Sequence, residues 1–319
     1  MNDISIPGTG LMPRVPVAGE AALFGYEAAD PAYDWSKVFV DDADPQPYVF
    51  GIPDKDQNGS GSCTCQTAGY GFFKGTGIDI SREDPYSHVA LPGGGAYLDA
   101  PYWWLDSQGY LPLDEYPDPN PESEAAMTKI ITVVDGKGRV KKFRVTSGII
   151  RNISIDVAAA AIDAHTFVCL GIAGSWQKGW EKSWTDPYYV QNNWQHALMC
   201  GQAVMRKGKK AIKAKSSWCQ HKDFLGQPCY AHFINEDYFN AGGVFEILAV
   251  DIKEITDMEQ HFKVNIGGRA GLFHVYGDGG WFEVAANEQD YHDMGVKYHV
   301  DTCDLVNGKW VFQPFDFQK

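Results

Sequence analysis

Gln57-Asn58-Gly59-Ser60-Gly61-Ser62-Cys63 is the stretch that decides how this chain is read. A side-chain amide and a thiol are separated by small, turn-forming residues. Far downstream come a histidine in an apolar run, Gln195-His196-Ala197-Leu198-Met199-Cys200-Gly201, and then Lys215-Ser216-Ser217-Trp218. A thiol, an imidazole and an amide are the groups that thiol-based acyl transfer needs. Cys63 would attack a carbonyl, and His196 would hold it as thiolate and later protonate the leaving group. Gln57 would donate its amide N–H to the oxyanion beside the backbone N–H of Cys63. The run Thr64 to Phe73 is small and apolar enough for a helix that ends at Gly75 and Gly77. A thiol at such a helix N-terminus gains from the dipole, which favours the thiolate. On that helix Cys65 points about 200° away from Cys63 and reads as core.

These motifs resemble those of the papain-like cysteine peptidases, whose signature is a Gln, a Gly-Ser-Cys six residues on, a His in an apolar strand, and then Asn-Ser-Trp. The Gln57 spacing, Gly61-Ser62-Cys63, His196-Ala197 and Ser217-Trp218 match. Ser216 stands where the family carries the Asn that orients the His, and Thr64 replaces the aromatic residue after the Cys. Ser216 Oγ can accept the imidazole's second hydrogen bond, with a shorter reach than Asn and room for a bridging water. The resemblance implies an α+β, two-lobed fold: a helical lobe bearing Cys63, a β-rich lobe bearing His196, and a cleft between. It also implies that Gly93 to Ala96 forms a wall backing substrate, so that Gly94, Gly95, Trp194 and Trp218 line the cleft. The family usually carries a long helical inhibitory propeptide. Only 56 residues precede Gln57 and no long amphipathic helix is visible among them, so such a propeptide reads as absent or replaced by something short.

Composition narrows the partners. With 319 residues, 44% hydrophobic, the chain can fill one large domain or a domain plus an appendage. A net charge of −14 argues against nucleic acid or an anionic membrane as partner. The start Met-Asn-Asp-Ile-Ser-Ile-Pro has neither a basic nor a long apolar segment, so it does not read as a secretory signal, and no apolar stretch is long enough to span a membrane. The expected location is therefore cytoplasmic or virion-associated. Seven dispersed cysteines suggest mostly reduced thiols, with Cys219 and Cys229 close enough in sequence to pair across a loop. Zinc would need Cys63-x-Cys65 with Cys219-x-His221, a spacing that zinc sites disfavour, so no metal and no cofactor is expected.

Three segments follow. Residues 1–44 read as an extended arm, 45–240 as the peptidase-like domain, and 241–319 as a C-terminal β-rich extension. Within the domain, Ser81 is expected to cap a helix, Tyr102 to Ser107 to be an aromatic helix, and 118–128 to be a surface connector. Ile130 to Val145 should be a hairpin about Gly136-Lys137-Gly138, and Asp156 to His165 a helix. Thr166 to Ile172, Gln195 to Val204 and Val244 to Ile252 should be strands, with Ala211 to Ala214 pairing antiparallel to the second. The expected function is a cysteine peptidase acting on peptides or proteins, a peptidoglycan peptide among them. A papain-fold protein that has lost turnover and serves in a larger assembly, such as a phage or virus particle, is the alternative. A transferase with an amine acceptor would use the same groups.

Overall fold

The computed structural model describes residues 11, 33–43, 49–53, 55–57, 59–131, 133, 138–175, 185–191, 194–217, 231–255, 260–266, 269–276, 279–284, 303–306 and 309–312. The chain divides into two compact units, Met1–Lys253 and Glu254–Lys319.

The first unit begins with three helices, α1 (Cys63–Thr76), α2 (Glu83–Val89) and α3 (Ala100–Gln108), and a short turn of helix, α4 (Glu124–Met127). Strand β1 (Phe143–Ile150), helix α5 (Ile155–Ala164) and strands β2 (Phe167–Gly174), β3 (Trp194–Arg206), β4 (Lys209–Lys215) and β5 (His232–Asn235) follow, then α6 (Glu236–Asn240) and β6 (Val244–Glu254). The sheet order is β1-β6-β2-β3-β4-β5. Its central pairs are antiparallel, with Gly171 opposite Ala197 and Ile172 opposite His196.

Strand β2 is apolar along its whole length because both faces of the sheet are covered. Val168, Leu170 and Ile172 pack with Val157, Ala158 and Ile162 of α5. The alternate residues Phe167 and Cys169 pack with Ala68, Tyr70 and Phe72 of α1 and with Tyr102 and Leu105 of α3. Strand β3 alternates in the same way, with Leu198 and Cys200 in the first cluster and Ala197 and Met199 in the second. The architecture is therefore α+β, a sheet with α5 on one face and the α1–α3 group on the other. A bulge between Cys200 and Gln202 accommodates Phe50, whose ring lies 3.0 Å from where a Cβ of Gly201 would be.

Several expectations change. Strand β6 lies between β1 and β2, and the first unit runs to Lys253. Helix α2 is not capped by Ser81. Its N-cap position is Arg82, and Asp118 Oδ1 accepts from the backbone N–H of Arg82 (2.6 Å) and Glu83 (2.9 Å) and from Ser81 Oγ (3.1 Å). A carboxylate from another segment supplies what a local hydroxyl was expected to supply. The hairpin turn expected at 136–138 falls largely on residues 134–137, outside the described residues, and the sheet neighbour of β1 is β6.

The segment 118–128 is no surface connector. Glu122 and Met127 are buried, and Met127 packs with Cys65 and Tyr86. Ser123 caps α4 by accepting from Ala126 N–H. In the second unit, β7 (Gln260–Ile266), β8 (Arg269–Tyr276) and β9 (Gly279–Val284) form an antiparallel meander, and β10 (Cys303–Val306) pairs with β11 (Lys309–Phe312). No helix among the described residues is long and apolar enough to cross a membrane.

Burial, with the nearby charge of Asp118, pushes the Glu122 carboxyl up to about 8. The folded state therefore holds this proton more tightly than the unfolded one. Its contribution to stability is full at acid pH and falls as pH rises from the ordinary carboxylate range through about 8. Glu122→Gln should remove this slope. Urea unfolding at pH 5, 7 and 9 should show the variant gaining on the wild type with pH, whereas a constant difference would refute the assignment.

Candidate active site

Cys63 is the first residue of α1, after Ser62 at the N-cap. Its backbone N–H belongs to the first turn of the helix, where donors have no partner within the helix. The turn before it is held by its own polar side chains. Ser60 Oγ donates to Gln57 O (2.9 Å) and lies 2.7 Å from Ser62 Oγ. Gln66 Nε2, one helical turn on, lies 3.3 Å from Ser62 Oγ and 2.5 Å from Glu122 Oε2.

Gln57 ties this turn to the segment after β4. Its backbone N–H donates to Ser217 O (3.1 Å), and its side-chain oxygen accepts from Ser217 Oγ. Gln57 Nε2 donates one hydrogen to Ser60 O at 2.9 Å, and an amide carries two. On β3, His196 Nε2 lies 2.9 Å from Ser216 Oγ. The backbone of Ala197, the neighbour of His196, lies near enough to the Cys63 thiol to favour its thiolate. Four residues expected at one site, Gln57, Cys63, His196 and Ser216, are thus carried to the adjoining ends of β3 and β4. No water is needed between His196 and Ser216, contrary to the reach expected of a serine, because β4 ends at Lys215 with Ser216 already beside the ring.

Both reactive groups are sealed, Cys63 being 0% and His196 1% exposed. Burial pushes the Cys63 thiol up to about 12, against lowering by the backbone hydrogen bonds from Ala197, Thr64 and Cys63 itself. Burial, and then the charge of His232, holds the His196 imidazole well below its ordinary range. In this closed state the pair is neutral at pH 7. Desolvation overrides the thiolate-favouring helix N-terminus expected from the sequence.

The wall is present as a turn. Leu91 N–H donates to Gly95 O, Gly94 N–H donates to Leu91 O, and Gly93, Gly94 and Gly95 all have positive φ. Leu11 packs against it. This residue is fully buried, forms a parallel bridge with Ala96, and has its Cδ2 3.1 Å from the position a Cβ of Gly171 would take. Since Gly171 faces Ala197 across the sheet, Leu11 lies between the glycine wall and the strand pair that carries His196. The backbone of Trp194 opens β3, opposite Gly174. Trp218, Cys219, His221 and Cys229 lie outside the described residues. Sequence reasoning missed Leu11 and His232, because each reaches the site only through long-range pairing.

No family model matches the chain, and no curated protein matches it in sequence. Among solved structures it is similar to the clostridial cysteine protease Cwp84 after propeptide cleavage, at 17% identity and a TM-score of 0.50 over 66% of this chain and 57% of that one. It is also similar to xylellain, a cysteine protease from Xylella fastidiosa, at 16% identity and a TM-score of 0.49 over 77% of this chain and 96% of that one. A third is digestive procathepsin L2 of Tenebrio molitor, at 14% identity and a TM-score of 0.48 over 70% of this chain and 76% of that one. The fold is papain-like.

Leu11 belongs to the same buried cluster as Cys63. Leu11→Ala should speed the reaction of Cys63 with iodoacetamide severalfold without changing the far-ultraviolet circular dichroism. An unchanged rate would show that the seal does not depend on this side chain.

Proposed function

We propose that this chain is a cysteine peptidase whose reactive pair is stored neutral and closed. The observation that supports this reading is the approach of three distant segments: His196 on Ser216, Gln57 on Ser217, and Cys63 near the backbone of Ala197. A structural role for the fold does not require a thiol, an imidazole and an amide to meet at one strand end.

When water reaches the two groups, the desolvation that holds both neutral is relieved. A proton then passes from Cys63 Sγ to His196, with Nε2 engaged by Ser216 and Nδ1 exchanging the proton. The thiolate attacks the carbonyl carbon of a peptide bond. The oxyanion is stabilised by the Cys63 backbone N–H and the second Nε2 hydrogen of Gln57. The imidazolium returns its proton to the departing amine, leaving a thioester on Cys63. Water, deprotonated by His196, attacks the thioester, and the carboxylic acid leaves with the thiol restored. Gly94 and Gly95 offer backbone groups to the extended substrate, and Trp194 and Trp218 belong to the groove's rim in this reading. Peptides and proteins, peptidoglycan peptides among them, are the substrates. Residues 254–319 are a β-rich extension of the peptidase unit.

The test is labelling with iodoacetamide and a peptidyl epoxide between pH 4 and 9, followed by hydrolysis of peptide libraries. In the Leu11→Ala chain Cys63 is expected to react well below pH 8, with Cys63→Ala abolishing labelling and turnover, His196→Ala suppressing labelling below pH 8, and Gln57→Ala lowering turnover by ~10²-fold. If Cys63 in the Leu11→Ala chain labels no faster than an ordinary thiol, the peptidase reading fails.

A further inference from the structure

The acidic segment after Pro121 reaches under the nucleophile turn, and one of its carboxylates touches two loops at once. Glu124 Oε2 accepts the backbone N–H of Gly61 at 2.6 Å. Glu124 Oε1 accepts the hydroxyl of Tyr86 at 2.7 Å. That hydroxyl in turn accepts the backbone N–H of Gly95 at 2.9 Å. Gly61 lies two residues before Cys63, and Gly95 is the last glycine of the Gly93–Gly95 wall.

The two loops come so close that only glycine fits at Gly61. A Cβ there would lie 2.5 Å from Gly95 N and 2.8 Å from the Tyr86 hydroxyl. At Gly94 the backbone has φ +93, and a Cβ would lie 3.2 Å from Glu124 Oε1. Tyr86 is fully buried, packed with Cys65 and Met127. Burial, and then the bond to Glu124, raises its phenol far above its ordinary range, so the hydroxyl stays a donor to the carboxylate. Hydrogen bonds to a charged acceptor are roughly twice as strong as neutral ones.

We propose that Glu124 is a positioning residue: its carboxylate, relayed by Tyr86, holds the Cys63 turn and the Gly93–Gly95 wall at a fixed separation. The role rests on the peptidase reading, since the separation it sets is that between the attacking thiol and the backbone that would hold the substrate. An error of about 1 Å in such a placement costs on the order of 10²-fold in rate. The clasp touches neither substrate nor thiol and acts only through the two loops.

The test compares Glu124→Ala, Glu124→Gln and Tyr86→Phe, each in the wild-type and the Leu11→Ala chain so that Leu11 does not mask access. Two reagents are used: iodoacetamide, which needs only the thiol, and a peptidyl epoxide, which also needs the wall. Tyr86→Phe is expected to slow the epoxide by about tenfold or more and to leave iodoacetamide nearly unchanged, because Gly61 keeps its carboxylate. Glu124→Ala should slow both, and the double variant should be no worse than Glu124→Ala alone, since the two residues form one chain. Glu124→Gln should restore part of the loss, because its amide oxygen can still accept from Gly61. Losses that affect both reagents equally in Tyr86→Phe, that add in the double variant, or that follow the unfolding midpoint would overturn the proposal.

Amide hydrogen exchange supplies a readout that does not depend on activity. Protection at Gly61 and Gly95 should fall in Glu124→Ala, and at Gly95 alone in Tyr86→Phe. Unchanged protection at Gly95 in both variants would overturn the clasp. If the unsubstituted site is inert to both reagents while exchange behaves as expected, the clasp stands as a structural feature, and the peptidase reading fails together with the positioning role built on it.

Discussion

The antiparallel pairing of β2 with β3 is the constraint on which the rest of the molecule depends. Both strands are buried on two faces, so their register cannot slip by one residue without moving an apolar row from one core to the other. That register sets Ala197 against Gly171 and His196 against Ile172. It therefore fixes two of the contacts near Cys63: the backbone of Ala197 beside the thiol, and Leu11 against Gly171. A packing requirement of the core thus fixes where His196 stands on the sheet.

The same burial sets the electrostatics. A helix N-terminus favours an anion by about 0.3–2 kcal/mol. A thiol moved from 9.0 to about 12 is disfavoured as thiolate by about 4 kcal/mol. Desolvation wins, and the closed site holds a thiol and a neutral imidazole. The helix dipole and the Ala197 N–H become decisive only when water enters and the desolvation cost falls. In the proposed peptidase, reactivity would therefore be coupled to access, since the groups could become an ion pair only where a substrate can also reach them.

Local signals were legible in the sequence. The glycine-serine turn before Cys63, the helix after it and the apolar runs of β2 and β3 each carry their own pattern, and the structure sets His196 beside Ser216 and Gln57 beside Ser217. What could not be read depends on contacts between segments far apart. Asp118 caps α2 from outside, a role that Ser81 seemed to fill because a hydroxyl before a helix is the usual local signal. Pro-Glu-Ser composition made 118–128 look like a solvated link, yet Glu122 and Glu124 are drawn inward by the turn's backbone and amide donors. Strand β6 is last in the first unit's sequence but second in its sheet, and no linear pattern records that order.

Ser216 takes on a particular meaning in this setting. An amide oxygen beside the imidazole accepts only, and so favours the tautomer or cation that carries a proton on that nitrogen. A hydroxyl both donates and accepts. At 2.9 Å from Nε2, Ser216 can donate to an unprotonated Nε2 in one neutral tautomer and accept from a protonated one in the other or in the cation. The contact therefore survives a change of charge on the ring without any side chain moving. That suits a ring that burial keeps neutral and that the proposed peptidase cycle would charge. The serine reduces the bias toward the reactive state, and in exchange the ring stays oriented in both.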